Sequence, residues 1–140
     1  MLSRGRCFCG EVEIEAHGSP LEMGYCHCKS CRAHSGAPFG AFMLWPAGQV
    51  EVVKGAQLVG RYNKVGATER RFCTRCGGHL MNHHPALGAT DVRAGAMPDL
   101  PFRPTVHLNY SEAVMRMKDG LAKLKAFPAH AGGSGELVPE

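Results

Sequence analysis

Aromatic side chains are scarce in this 140-residue chain, at 7% with one tryptophan. Eighteen glycines and nine prolines accompany them. That balance argues against long helices and for short strands with frequent turns. No apolar run approaches the ~18 residues of a membrane span. The chain reaches Cys7 without the apolar stretch of an export signal, so the expectation is a soluble cytoplasmic protein. Basic residues are scattered, with neither a stripe nor a basic tail, and the formal charge of +4 is modest. Nothing there singles out nucleic acid. Without repeats or a linker, residues 1–128 read as one domain that buries roughly two-thirds of its unfolded surface. Residues 129–140, rich in Gly, Ser and Glu, read as a flexible tail.

What the chain does have is cysteine. Three of its seven cysteines fall in Cys26-His27-Cys28-Lys29-Ser30-Cys31. In an extended segment Cys26 and Cys28 project to one side and His27 to the other. Cys31 lies one helical turn past Cys28 and returns its sulfur to the same place. One loop can thus present three thiolates to a tetrahedral zinc, whose sulfurs lie roughly 3.7 Å apart. The fourth position stays open unless His34, one turn further on, closes it as Cys₃His. The other four cysteines form Cys7-Phe8-Cys9-Gly10 and Cys73-Thr74-Arg75-Cys76-Gly77-Gly78. Gly10 and Gly77 can take positive φ and turn backbone N–H groups toward the sulfurs. Together these pairs make a closed Cys₄ set, usually structural. Disulfides are the alternative, but the spacings read as metal sites in a cytosolic protein.

The segment 11–16 alternates Glu with Val12, Ile14 and Ala16, the clearest strand in the chain. Residues 21–26 should run extended into the three-cysteine loop, and residues 28–35 should make one or two helical turns. Further strands are expected over 39–45, 68–72, 79–82, 91–94 and 105–110. Residues 50–53 and 58–62 suggest a hairpin about Lys54-Gly55. Residues 112–125 suggest a short turn or helix weakened by Gly120. Phe39, Phe42 and Trp45 read as core.

These motifs resemble the glutathione-dependent formaldehyde-activating enzyme family, which includes centromere-protein-V-like domains. The residues concerned are Arg6-Cys7-Phe8-Cys9-Gly10, Cys26 to Arg32, Ser35-Gly36-Ala37-Pro38 and Arg71 to Gly77. The likeness continues through Ala94-Gly95-Ala96 and Arg103 to Leu108 to Asp119-Gly120-Leu121. It differs at Val114, where the family usually has tryptophan. The resemblance implies a mainly β, Mss4-like fold of short, coiled antiparallel sheets with zinc knuckles. It also implies two Zn²⁺ per chain, structural at Cys7, Cys9, Cys73 and Cys76 and catalytic at Cys26, Cys28 and Cys31. The implied activity is that of a carbon–sulfur lyase, joining glutathione, or another small thiol, to formaldehyde or a related carbonyl.

A glutathione-like ligand carries two carboxylates and calls for cations. Lys29, Arg32, Lys64 and Arg70 are nearest in sequence to the metal elements, and Arg32 directly follows the last thiol of the loop. His27 reads either as a proton shuttle beside the site or as a buried ring on a backbone carbonyl. His79, His83 and His84 look like a metal cluster, but Pro85 and the strand alternation favour exposed polar residues. His107, in a strand beside Leu108, reads as structural. The competing function is a non-catalytic zinc-binding module for nucleic acid or protein; a third reading closes both sites as purely structural zinc.

Overall fold

In chain order the first strands are β1 (Leu2–Arg6), β2 (Glu13–His17) and β3 (Glu22–Cys26), followed by helix α1 (Lys29–Ser35). Then come β4 (Gly40–Pro46), β5 (Val50–Lys54), β6 (Val59–Asn63) and β7 (Glu69–Cys73). The last are β8 (His79–His84), β9 (Ala89–Arg93), β10 (Val106–Leu108) and β11 (Ala122–Lys123). This is a computed structural model that describes residues 1–64 and 66–140. The fold is mainly β, as the resemblance implied. The chain divides into two compact units, residues 1–21 with 43–102 and residues 22–42 with 103–140.

In the first unit, β2 follows its alternation: Ile14 and Ala16 are buried, while Glu13 and His17 face water. It pairs antiparallel with β1 on one side and β5 on the other. Strand β1 carries no hydrophobic alternation and was not expected. Its inward residues are small instead, Ser3 and Gly5, with Leu2 exposed. A Cβ on Gly5 would lie 2.3 Å from the Ala96 carbonyl oxygen, so the backbone itself packs there. The hairpin of residues 50–53 with 58–62 does not form. Gly55 turns at φ 74, and a 3₁₀ turn at Ala56–Leu58 redirects the chain. Strand β5 therefore bonds β2, and β6 bonds β7. Strands β6, β7, β8 and β9 then run antiparallel in order. Ile14, Met43, Trp45, Leu80, Met81, Val92 and Met97 form a dry core. Each such side chain contributes about 1.5–3 kcal/mol by leaving water. Trp45 also donates its Nε1–H to the Gly18 carbonyl at 3.0 Å.

The second unit is built differently. Strand β10 pairs in parallel with both β3 and β11, whereas antiparallel pairing was expected. A Cβ on Gly24 would lie 2.6 Å from the Val106 carbonyl oxygen, which is how β3 and β10 approach so closely. Rings pack against one another here, beside the buried aliphatic chains of Val106 and Leu124. Tyr25 stacks on His107 at 4.8 Å, His27 meets Tyr110 edge-on at 5.0 Å, and Phe39 packs against Tyr25 at 5.1 Å. No helix forms over residues 112–125. A 3₁₀ turn covers Tyr110–Glu112, and β11 follows after Gly120 at φ 77. Residues 129–140, expected as a flexible tail, carry defined pairing. Leu137 bridges Leu124, Val138 N–H donates to the Lys123 carbonyl at 2.9 Å, and Lys125 N–H donates to the Glu136 carbonyl at 2.8 Å.

Candidate metal centres

Four thiols meet in the first unit. Cys7 and Cys9 follow β1, Cys73 ends β7, and Cys76 precedes β8. Both knuckles turn at a positive-φ glycine: Gly10 (φ 80) donates to the Cys7 carbonyl at 3.1 Å, and Gly77 (φ 75) to that of Cys73 at 2.8 Å. All four sulfurs lie within 4.8 Å of one another, with 3.6 Å from Cys7 to Cys9 and 3.9 Å from Cys9 to Cys73. A disulfide needs about 2.05 Å, whereas tetrahedral zinc thiolates need roughly 3.7 Å. The donor set therefore fits zinc. N–H groups are aimed at the sulfurs as well, from Val12 to Cys7 at 3.3 Å and from Gly78 to Cys76 at 3.4 Å. The Gly78 bond holds Cys76 down at about 6. Burial opposes ionisation of Cys7, but the Val12 N–H and the neighbouring thiols lower it overall.

Three thiols meet in the second unit. Cys26 ends β3, Cys28 caps α1 in extended conformation, and Cys31 is buried in the first turn of that helix. Their sulfurs also lie within 4.8 Å of one another. Among the described residues no fourth Cys, His, Asp or Glu joins the group, and His34 is not part of it. Cys28 Sγ accepts from Cys31 N–H at 3.3 Å, while Asn109 Nδ2 donates to Cys26 Sγ at 3.4 Å. The other two sulfurs, then the Cys31 N–H, hold Cys28 down at about 2 against the pull of burial. Cys26 moves the opposite way, raised by Cys28 and Cys31 and then by burial.

The peptide between these cysteines is gripped at several points. His27 N–H donates to the Leu108 carbonyl at 3.0 Å, and Arg32 Nε donates to the His27 carbonyl at 3.0 Å. Lys29 N–H donates to Glu112 Oε1 at 3.3 Å. Arg32, singled out as a carboxylate binder, therefore braces the loop through its Nε. The His27 ring is fully buried and meets a histidine, His107, rather than a backbone carbonyl. Burial first, then His107 and Arg32, lower it to about 4, so it is neutral. Sequence reasoning missed Asn109, Glu112, Asp119 and Lys123 as parts of this region. Asn109 sits at φ 52, an uncommon backbone for any residue but glycine, which its sequence neighbours do not reveal.

The three histidines of β8 do not form a metal group. His79 bonds Asn82 at 2.8 Å, His83 bonds Thr90 at 3.0 Å and His84 bonds Asp91 at 2.6 Å. They are half-buried rather than exposed. Asp91, also paired with Arg93, is held at about 2. Burial would raise it, but the Arg93 charge and His84 outweigh that. A third grouping, Glu15, His17 and Glu51, is largely exposed, and Arg4 pairs with Glu15 at 3.4 Å.

The geometry defines a mainly β protein with one four-thiol and one three-thiol cluster, each able to hold a soft divalent ion. Its sequence matches the glutathione-dependent formaldehyde-activating enzyme family over residues 2–112, and the chain belongs to that family. An uncharacterized lyase of Schizosaccharomyces pombe is 33% identical over 73 residues, which is 52% of this chain and 51% of the relative. The chain thus spans about half the length of the curated relative it matches. A crystal structure of a Rhodobacter sphaeroides protein aligns with a TM-score of 0.60 at 22% identity, covering 70% of this chain and 90% of that one. That likeness is one of fold. Among the described residues, no helix is long and apolar enough to cross a membrane.

Proposed function

We propose that this chain is a zinc-dependent carbon–sulfur lyase acting on the adduct of a small thiol, glutathione or a relative of it, with formaldehyde or a similar carbonyl. Two zincs per chain are part of the reading, at Cys7, Cys9, Cys73 and Cys76 and at Cys26, Cys28 and Cys31. The observation that carries it is the size of the second cluster: three thiols, with no fourth ligand of the chain among the described residues. Cys26, Cys28 and Cys31 would hold the zinc, whose contribution when bound would be to favour the nucleophilic, deprotonated form of a substrate thiol at neutral pH.

The chain's own residues supply the rest. Cys26, Cys28 and Cys31 converge because β3 and α1 are joined by a single tight loop. Asn109 and the Cys31 N–H spread the thiolate charge. In the addition, the substrate sulfur forms a bond to the carbonyl carbon, and the carbonyl π pair moves to oxygen. That oxygen takes the proton the thiol has lost. The reverse cleaves carbon from sulfur. Arg32 is the cation proposed for a substrate carboxylate, its Nε on the His27 carbonyl fixing where the guanidinium can reach.

X-ray absorption at the zinc edge tests this. Adding a low-molecular-weight thiol should exchange a light-atom ligand for sulfur at half of the zinc, and Cys28→Ser should abolish the change. A zinc shell indifferent to every thiol, with DNA or RNA binding that falls steeply with salt, would replace the enzyme by the non-catalytic binding module.

A further inference from the structure

A chain of hydrogen bonds leaves the three-thiol loop through His27, and its direction follows from its far end. Asp119 Oδ1 accepts from Lys123 Nζ and, at 3.1 Å, from the Leu121 N–H. Its Oδ2 lies 2.7 Å from His107 Nε2. A carboxylate flanked by an ammonium has only lone pairs to offer, so His107 Nε2–H is the donor. In a neutral His107 ring, Nδ1 then carries a lone pair 2.8 Å from His27 Nε2, and His27 Nε2–H donates to it. Both rings are fully buried, so solvent cannot reset either tautomer. One nitrogen is left over. His27 Nδ1 is buried and has no hydrogen-bond partner among the described residues.

We infer that Asp119, acting through His107, is a positioning residue that fixes His27 as its Nε2–H tautomer and presents His27 Nδ1 as an acceptor for one buried O–H donor. The donor is a water or the hydroxyl of the thiol–carbonyl adduct. Only the second of these rests on the activity proposed above; the tautomer does not. No charge changes along the chain: what Asp119 sets is which way each hydrogen bond points. The fixed ring in turn holds the peptide that joins Cys26 to Cys28, whose N–H and carbonyl are already tied to Leu108 and Arg32.

Asp119→Asn makes a sharp prediction. Lys123 Nζ and the Leu121 N–H can only donate, so they retain the amide oxygen and turn its NH₂ toward His107. His107 Nε2 must then accept, its proton moves to Nδ1, and it donates to His27 Nε2. His27 is forced in turn to the Nδ1–H form. Long-range ¹H–¹⁵N spectra distinguish the two tautomers, with His27→Gln and His107→Gln assigning the signals. The wild-type protein should show both rings as Nε2–H, Asp119→Asn should convert both to Nδ1–H, and Asp119→Glu should restore the first pattern. Adding the thiol and carbonyl should shift the wild-type His27 Nδ1 signal if the adduct hydroxyl is the donor. An Nδ1 already hydrogen-bonded and unmoved by substrate identifies water and leaves the positioning role intact. An Nδ1–H His27 in the wild type overturns the inference even if Asp119→Asn fails to fold. So does an unchanged tautomer in a folded Asp119→Asn.

Discussion

The sulfurs of Cys7, Cys9, Cys73 and Cys76 come from two segments some 64 residues apart, whereas Cys26, Cys28 and Cys31 come from six consecutive residues. The first set ties the end of β1 to the β7–β8 turn, so a metal there closes a long loop in the folded chain. The second set closes no such loop. Its loop is held instead by hydrogen bonds donated by Arg32 and Asn109 and by the His27 N–H, which the Leu108 carbonyl accepts. On the reading proposed above, the set that ties distant segments should serve folding, while the one held by its own neighbours is left to serve chemistry.

The sharpest way to break this contrast is to remove one thiol from each cluster. Cys76→Ser should abolish cooperative thermal melting by circular dichroism, because metal binding at such sites is folding free energy. Cys28→Ser should leave the melting profile nearly unchanged. Equal melting of the two variants would make both clusters structural. A gentler probe is stepwise chelation with metal analysis. Two zincs per chain should leave in two steps, the three-thiol site first, and release together would erase the distinction.

A smaller effect belongs to the first unit alone. Asp91 is held at about 2, below its ordinary 3.8. Its contribution is therefore complete above pH ~4 and lost as pH falls toward 2. Asp91→Asn should cost about 2 kcal/mol at neutral pH, with the gap to wild type in urea unfolding closing across that acid window. Thiolate protonation affects both proteins alike and drops out of the difference. A gap constant with pH would remove the charge from the account. The smallest change expected is in the second unit: Arg32→Ala should weaken glutathione by about three- to tenfold, in line with a single partly exposed charge pair. An uncharged thiol should bind nearly as before, and equal loss for both would reduce Arg32 to a brace for His27.

Both clusters were legible in the sequence because cysteine spacing is local and metal geometry is demanding. Strands with hydrophobic alternation were legible too, β2 above all. Strand β1 was not, since its inward positions are Ser3 and Gly5 and its apolar residue faces out. The false hairpin at Gly55 arose because the sequence shows that two strands are adjacent but not which edge each one joins. The buried chain beyond His27 was invisible for another reason. His107, Asp119 and Lys123 are single polar residues whose meaning appears only when β10 and β11 are set side by side.

Asn109 answers two demands with one side chain. Its backbone sits at φ 52, where most L-residues are strained, and its amide donates to Cys26 Sγ. Glycine would satisfy the backbone and lose the donor; glutamine would keep an amide but carry it on a longer stem and resist the turn. For a chain that changes one residue at a time, few single substitutions here preserve both. The handedness of a buried turn and the electron density on a sulfur are therefore inherited together.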